Sequence, residues 1–383
     1  MASPLRLRIP LARVLGPGEI VAAEGAITAL RVLPASRIAA IVSRRGRHDA
    51  AVARWVEADN PYELKTLEPS WQGEPSLEGL EGTVADLDAY RPDWIVAIGG
   101  GRVLDGAKLC WALHEHPGFP RERLGIPFAL PPLRALCRLA VVPTTAATGS
   151  EASSSATFDG PAHGAKLAAV THDFLPDVAI LDPRLLQSLA PSEVATGALD
   201  ALGHAVEGYT SKLANPMIDV LAEGAVATLI ELLTAREPGA LGSADLLRLQ
   251  IAACHAGQVQ NLRLVGYVHA LAHQLARFGI PHAIAVGLLL PQVMRDHLDV
   301  PATRARYDRL ARHAGLKDAG ALIDTIASIP RRFGIDTHLG AWSRETTTEL
   351  ESVGTEASAD ALARFAPAKI AAARLTEMVR AIW

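Results

Sequence analysis

Cysteine is scarce in this 383-residue chain: Cys110, Cys137 and Cys254 stand far apart, with no CxxC pair. Neither a disulfide framework nor a thiolate zinc site is therefore expected, and a reducing cytoplasm is the natural setting. Charge of one sign is equally lacking. Lys plus Arg number 37 against 41 for Asp plus Glu, a net charge of -4 without long runs of either sign, which argues against nucleic acid or an anionic membrane as a partner. Long apolar runs are missing too. IAVGLLLP at 284–291 is among the longest, well short of the roughly 20 residues a membrane-spanning helix needs. The opening MASPLRLRIPLARVLG is basic but broken by Arg and Pro, so it reads as a first strand and not as a targeting signal.

What is present describes an ordinary globular chain. It is 49% apolar and 20% charged, with 25 Pro and 31 Gly, enough for about two or three domains and unlike a disordered or collagen-like sequence. From Arg37 to about Asp182, short Val- and Ile-rich runs alternate with turns and helical patterns, the rhythm of βαβ units. RIAAIVS (37–43), DWIVAIG (93–99), RLAVVPT (138–144) and DVAILD (177–182) are nearly all apolar, as strands of a parallel sheet covered on both faces must be. After Pro183 the chain becomes rich in Ala and Leu at helical spacing, so the second half is expected to be all helical. The boundary falls near Leu185–Pro191, where Pro191-Ser192-Glu193 carries a helix-start signal.

Three constellations bear chemistry. In IVAIGGGRVLDGAK (95–108) a buried strand runs through Gly99, Gly100 and Gly101 into a helix. Glycines let backbone amides approach an anion, and the helix N-terminus adds partial positive charge, so a phosphate is the expected guest; three glycines can also simply make a tight turn. In VVPTTAATGSEASSSATF (141–158) a strand ends in small hydroxylic residues. Thr144, Thr145, Thr148 and Ser150 could donate to phosphate, ribose or a carboxamide, or merely cap a polar loop.

The third constellation says most. Asp200 and His204 are four apart in LDALGHAVE, and His269 and His273 are four apart in VHALAHQLARFGIPHA, with His282 nine further on. Residues at i and i+4 share a helical face, so each pair can converge on one point. A carboxylate with imidazoles is a ligand set for Fe(II), Zn(II) or a similar divalent ion. A lone buried histidine is more often a hydrogen-bonded core residue; two paired faces make that reading harder to hold.

Taken in order, RVLGPGEI, GGGRVLDGAK, PTTAATGSE, DVAILDP, LDALGHAVEGYTS, the HALAH and PH stretches and LLLPQVM resemble the iron-containing (group III) alcohol dehydrogenase family. The resemblance implies an α/β nicotinamide-dinucleotide-binding domain over 1–187, an all-helical metal-binding and catalytic domain over 188–383, and a site in the cleft between them. It implies Asp200, His204, His269 and His282 as ligands of Fe(II) or Zn(II), with His273 beside the nicotinamide and able to relay a proton. Gly99, Gly100, Gly101 and Asp105 would surround the pyrophosphate and nicotinamide, and Thr144, Thr145 and Thr148 would contact the cofactor. Lys166, in GAKLAAV, matches a family lysine near the cleft. A homodimer formed through N-terminal strands is implied as well.

The chain also departs from the family. GGGS is GGGR here, placing Arg102 close to the expected anion; PHG is PHA; and the interval from His273 to His282 is one residue shorter than expected. Ser43-Arg44-Arg45 stand at the end of the second expected strand, where an acidic residue would favour NADH; arginine can pair with a 2′-phosphate, so NADPH is acceptable. Arg102, Lys166 and Arg277 are candidates for holding an anionic substrate, or are plain surface charges. The leading expectation is a metal-dependent NAD(P)H alcohol dehydrogenase acting as an aldehyde or ketone reductase. The alternatives are a maleylacetate reductase-like enzyme, a dehydroquinate synthase-like lyase that uses NAD and a metal, and a non-catalytic metal-sensing protein.

Overall fold

The computed structural model describes residues 14–160, 166–213, 215–343 and 350–383. Residues 1–13, most of the stretch read as a first strand, lie outside the described residues. The strands are β1 (Glu19–Ala22), β2 (Arg37–Val42), β3 (Glu63–Leu67), β4 (Trp94–Gly99), β5 (Arg138–Pro143), β6 (Ser155–Asp159), β7 (Lys166–Val170) and β8 (Val178–Leu181). Six of them form one parallel sheet in the order β1-β8-β5-β4-β2-β3, while β6 and β7 make a separate antiparallel hairpin. The four apolar runs read from the sequence are β2, β4, β5 and β8. Ser43 is not part of β2: it leaves the strand and its hydroxyl accepts from Gly46 N at 3.0 Å.

The near-continuous apolar character of the central strands follows from burial on both sides. Ile38, Ala40, Val42, Trp94, Val96, Ile98, Ala140 and Val142 face one core. Ala39, Ile41, Ile95, Ala97, Leu139 and Val141 face the other. The alternation is the period of two that a strand imposes, and each buried Val or Ile side chain contributes about 1.5–3 kcal/mol. The first of these cores is continuous with that of the second half, so one face of the sheet packs toward the helices.

Beyond β8 every described element is helical. The long helices Pro191–Thr210, Pro216–Ala235, Ser243–Arg263 and His282–His297 pack with the shorter Tyr267–Leu275. Pro191 stands at the first helical position, and Glu193 reaches back to accept from Ala190 N at 2.9 Å, the start that the sequence signalled. No described helix is long and apolar enough to cross a membrane.

Chain order along the sheet reverses between β2 and β4: the chain moves outward from β2 to β3, then crosses to β4 and on toward β5 and β8. In open α/β sheets such a reversal leaves a crevice at the carboxyl ends of the strands. Here it is bounded by Ser43, after β2, and by Gly99–Gly101, after β4, with Ser43 N donating to Ile98 O at 2.9 Å. The loop after β5 closes down on the helical half. Gly149 has φ +62°, and a Cβ there would meet Gly257 Cα at 2.4 Å; a Cβ on Gly197 would meet Ala146 O at 2.8 Å. Only glycine permits both the backbone conformation and this approach of loop to helix.

Candidate active site

The Gly-rich turn sits where an anion would be held. Gly99 ends β4, Gly100 caps the helix Gly101–Glu115, and Gly101 is its first residue; the first-turn amides lack the i−4 acceptors of the helix interior, although Val103 N donates to Gly100 O at 2.9 Å. A Cβ on Gly101 would lie 2.7 Å from Thr148 Oγ1, and one on Gly100 would touch Thr145 at 3.5 Å. Thr144 N donates to Gly99 O at 3.0 Å, and Thr148 Oγ1 accepts from Ser150 N at 3.2 Å. The two loops named from the sequence therefore lie against each other.

Asp105 is not open to solvent. Its carboxylate accepts from Ser150 Oγ at 2.5 Å and from Thr157 N and Oγ1 at 3.0 and 2.7 Å, which ties the helix Gly101–Glu115 to the loop and to β6. One turn on, buried Lys108 donates to Ser150 O, Ser153 O and Ser155 O at 2.7, 3.0 and 3.0 Å; burial pulls its ammonium down to about 8. Beside it, burial pushes Glu151 up to about 7. Sequence reading passed over this clamp, although Asp105 and Lys108 are three apart on one helix. Arg44 is exposed, and Arg45 pairs with Glu193 at 2.9 Å.

In the helical half the metal-ligand candidates converge. Asp200 Oδ1 lies 3.8 Å from His269 Nε2 and 3.7 Å from His282 Nε2, and the three groups place one ligand atom each within 4.8 Å of one another. His204 stands beside them, its ring stacked on that of His269 with centroids 4.5 Å apart. Asp200 Oδ1, His204 Nδ1, His269 Nε2 and His282 Nδ1 are buried without a hydrogen-bond partner. Buried polar atoms ordinarily find partners; Asp200 Oδ1 and His269 Nε2 face each other without one, and His282 turns its Nε2 to the same oxygen, an arrangement that fits a divalent ion. Burial pushes the Asp200 carboxyl up to about 6, with His269 and Lys166 acting against it; burial holds His204 and His282 well below the usual imidazole range. Both imidazoles are thereby kept neutral, the form that binds a metal.

Two carboxylates orient this cluster, and neither was singled out in the sequence. Glu207 Oε2 lies 2.7 Å from His269 Nδ1, and Glu207 Oε1 accepts from Val268 N at 2.8 Å. That contact leaves His269 Nε2 aimed at Asp200, the way an outer carboxylate fixes a ligating imidazole. Asp200, His204 and Glu207 stand at i, i+4 and i+7, one stripe of the Pro191–Thr210 helix, so the signal was present. Asp360 Oδ2 lies 3.2 Å from His273 Nδ1; 87 residues apart in sequence, that pair left no local signal. His273 stacks on His282 at 5.7 Å. Lys166 Nζ and Arg102 Nε both pair with Glu74 Oε1, at 3.3 and 2.7 Å, and Arg277 pairs with Glu356.

Known proteins carry the same plan. The iron-containing alcohol dehydrogenase model matches residues 17–183, and the model of the C-terminal part of that family matches 194–383. The chain belongs to the iron-containing alcohol dehydrogenase family. The family is one of oxidoreductases acting on CH–OH groups. The chain is 28% identical to the NADPH-dependent butanol dehydrogenase of Clostridium saccharobutylicum over 78% of each protein. It is 34% identical to aldehyde-alcohol dehydrogenase 2 of Entamoeba histolytica over 64% of this chain, a stretch that spans only 30% of that longer protein. The solved iron-containing alcohol dehydrogenase of Thermococcus thioreducens superposes with a TM-score of 0.85 at 27% identity, covering 97% of this chain and 99% of that one. None of these likenesses favours the lyase or non-catalytic alternatives, and the fold class expected of the family is the one observed.

Proposed function

We propose that this iron-containing alcohol dehydrogenase family member reduces small aldehydes or ketones with NADPH or NADH, using Fe(II) held by Asp200, His204, His269 and His282. The convergence of Asp200, His269 and His282 on one point, with Asp200 Oδ1 and His269 Nε2 unpartnered, carries the reading. When bound, the metal supplies a Lewis acid for the carbonyl and the nicotinamide supplies hydride.

The protein's own residues do the rest. Gly99, Gly100 and Gly101 offer amides to the pyrophosphate, and Thr144, Thr145 and Thr148 flank it, while Asp105 and Lys108 hold that loop in place. Glu207 keeps His269 Nε2 turned inward. His273, half-buried and backed by Asp360, is placed to pass a proton between product oxygen and solvent. Lys166 lends positive potential that favours the ionised Asp200. Ser43 and exposed Arg44 leave room for a 2′-phosphate, and the likeness to an NADPH-dependent butanol dehydrogenase supports that choice. The three buried free cysteines suit a reducing cytoplasm. β1 is an edge strand with no outer partner among the described residues, which supports pairing of two copies there.

The test is anaerobic oxidation of NADPH and NADH by Fe(II)-loaded protein with a panel of small aldehydes that includes carboxylated members and maleylacetate. Metal-dependent oxidation is expected. No oxidation despite bound metal and cofactor would overturn the reading.

A further inference from the structure

The three cations that could welcome an anionic substrate are each already engaged by a carboxylate. Glu74 is the shared partner of two of them: one oxygen, Oε1, meets Arg102 Nε at 2.7 Å and Lys166 Nζ at 3.3 Å. The Glu74 side chain is 19% exposed, and the two cations hold its carboxyl below the usual range against the opposing effect of burial. Asp159 completes the group. Its N–H donates to Pro75 O at 2.7 Å, which fastens the Glu74 segment to the end of β6, and its carboxyl feels Glu74, Lys166 and Arg102. Two cations thus face two carboxylates.

This balanced group borders both halves of the site. Arg102 directly follows Gly101 in the cofactor turn, and Lys166 is near enough for its charge to act on both Asp200 and His282. Among the described residues, a substrate carboxylate entering here would meet no net positive charge from this group, and it would lose hydration without a free cation of the group to replace it.

We propose that Glu74 is the specificity-determining residue of this site, pairing with Arg102 and Lys166 at once so that neutral carbonyl compounds are accepted and carboxylated ones refused. The inference rests on the reductase reading above and names its substrate class. Removing the Glu74 charge frees one net positive charge where Arg102 and Lys166 meet, and the preference shifts toward anions.

Two aldehydes of equal chain length, butanal and 4-oxobutanoate, test this with Fe(II)-loaded wild type and Glu74→Gln. Wild type is expected to favour butanal in kcat/KM. Glu74→Gln is expected to move the ratio toward 4-oxobutanoate by about tenfold or more, mainly through KM, and added salt should shrink the shift. A ratio that stays put overturns the proposal. Arg102→Ser is the companion variant: it removes a cation and leaves Glu74 in place, so the ratio should move the other way, toward butanal. Binding of succinate to the NADPH-loaded protein, followed calorimetrically, reads the same charge without turnover, and Glu74→Gln should tighten it about tenfold. If wild type reduces neither aldehyde, the reductase reading fails; an unchanged succinate affinity sinks the Glu74 assignment separately.

Discussion

In the α/β half the groups proposed to meet the cofactor belong to the backbone, presented by a Gly-Gly-Gly turn at the end of a doubly buried strand. In the helical half the proposed metal donors are side chains, one carboxylate and three imidazoles drawn from three helices. The first arrangement tolerates changes that leave the turn free of Cβ atoms. The second depends on each named atom, because a metal site is defined by donor identity and by the outer partners that aim the donors. Single substitutions should therefore affect chemistry in one half and geometry in the other.

The largest expected effect lies in the helical half. His269→Ala should lower turnover by on the order of a thousandfold or more, since several kcal/mol of charge stabilisation go with the metal. The fold should persist, as judged by an unchanged circular dichroism spectrum; turnover that survived would remove His269 from the ligand set. Next comes the join between the halves. Gly149→Ala should cost about 2–4 kcal/mol in a denaturant melt, because a Cβ meets Gly257 Cα at 2.4 Å on a residue already at φ +62°. A melt like that of wild type would mean that the loop can back away from the helix.

A pH series separates the donors from one another. Burial raises Asp200 to about 6 and depresses His204 and His282. As pH falls through about 6, the carboxylate takes up a proton while those two imidazoles stay neutral, so metal affinity should drop about tenfold per unit below that point. A midpoint well away from 6, or a steeper fall, would assign the competition to other groups. The smallest effect belongs to the cofactor side. Arg44→Asp should raise the Michaelis constant for NADPH about tenfold relative to that for NADH, roughly 1.4 kcal/mol; equal changes for both would leave Arg44 as a solvated surface residue.

How far the sequence could be read depended on how local each signal was. β2, β4, β5 and β8 were legible because strands covered on both faces need unbroken apolar runs. β3, reading ELKTL, has an exposed and half-buried face, and the hairpin β6–β7 is short and half-exposed, so neither stood out. The i and i+4 pairs on one helix face marked the cluster of Asp200, His204 and His269 that is proposed to hold a metal. Glu207, on the same face, was overlooked although its spacing was available, whereas Asp360, 87 residues from His273, offered no spacing at all.

By itself the sequence determined the types of the doubly buried strands and of the helices, the glycines that spare the turn its Cβ atoms, and the nearly balanced charge of -4, because periodicity and composition are properties of neighbouring residues. Tertiary structure alone decided which carboxylate meets which cation. Glu74 reaches Arg102 and Lys166 across intervals that no period spans, brought together by a sheet crossover and a hairpin. Packing of the helices likewise set Asp200 against His269 and His282 in a site dry enough to raise the carboxyl and hold two imidazoles neutral.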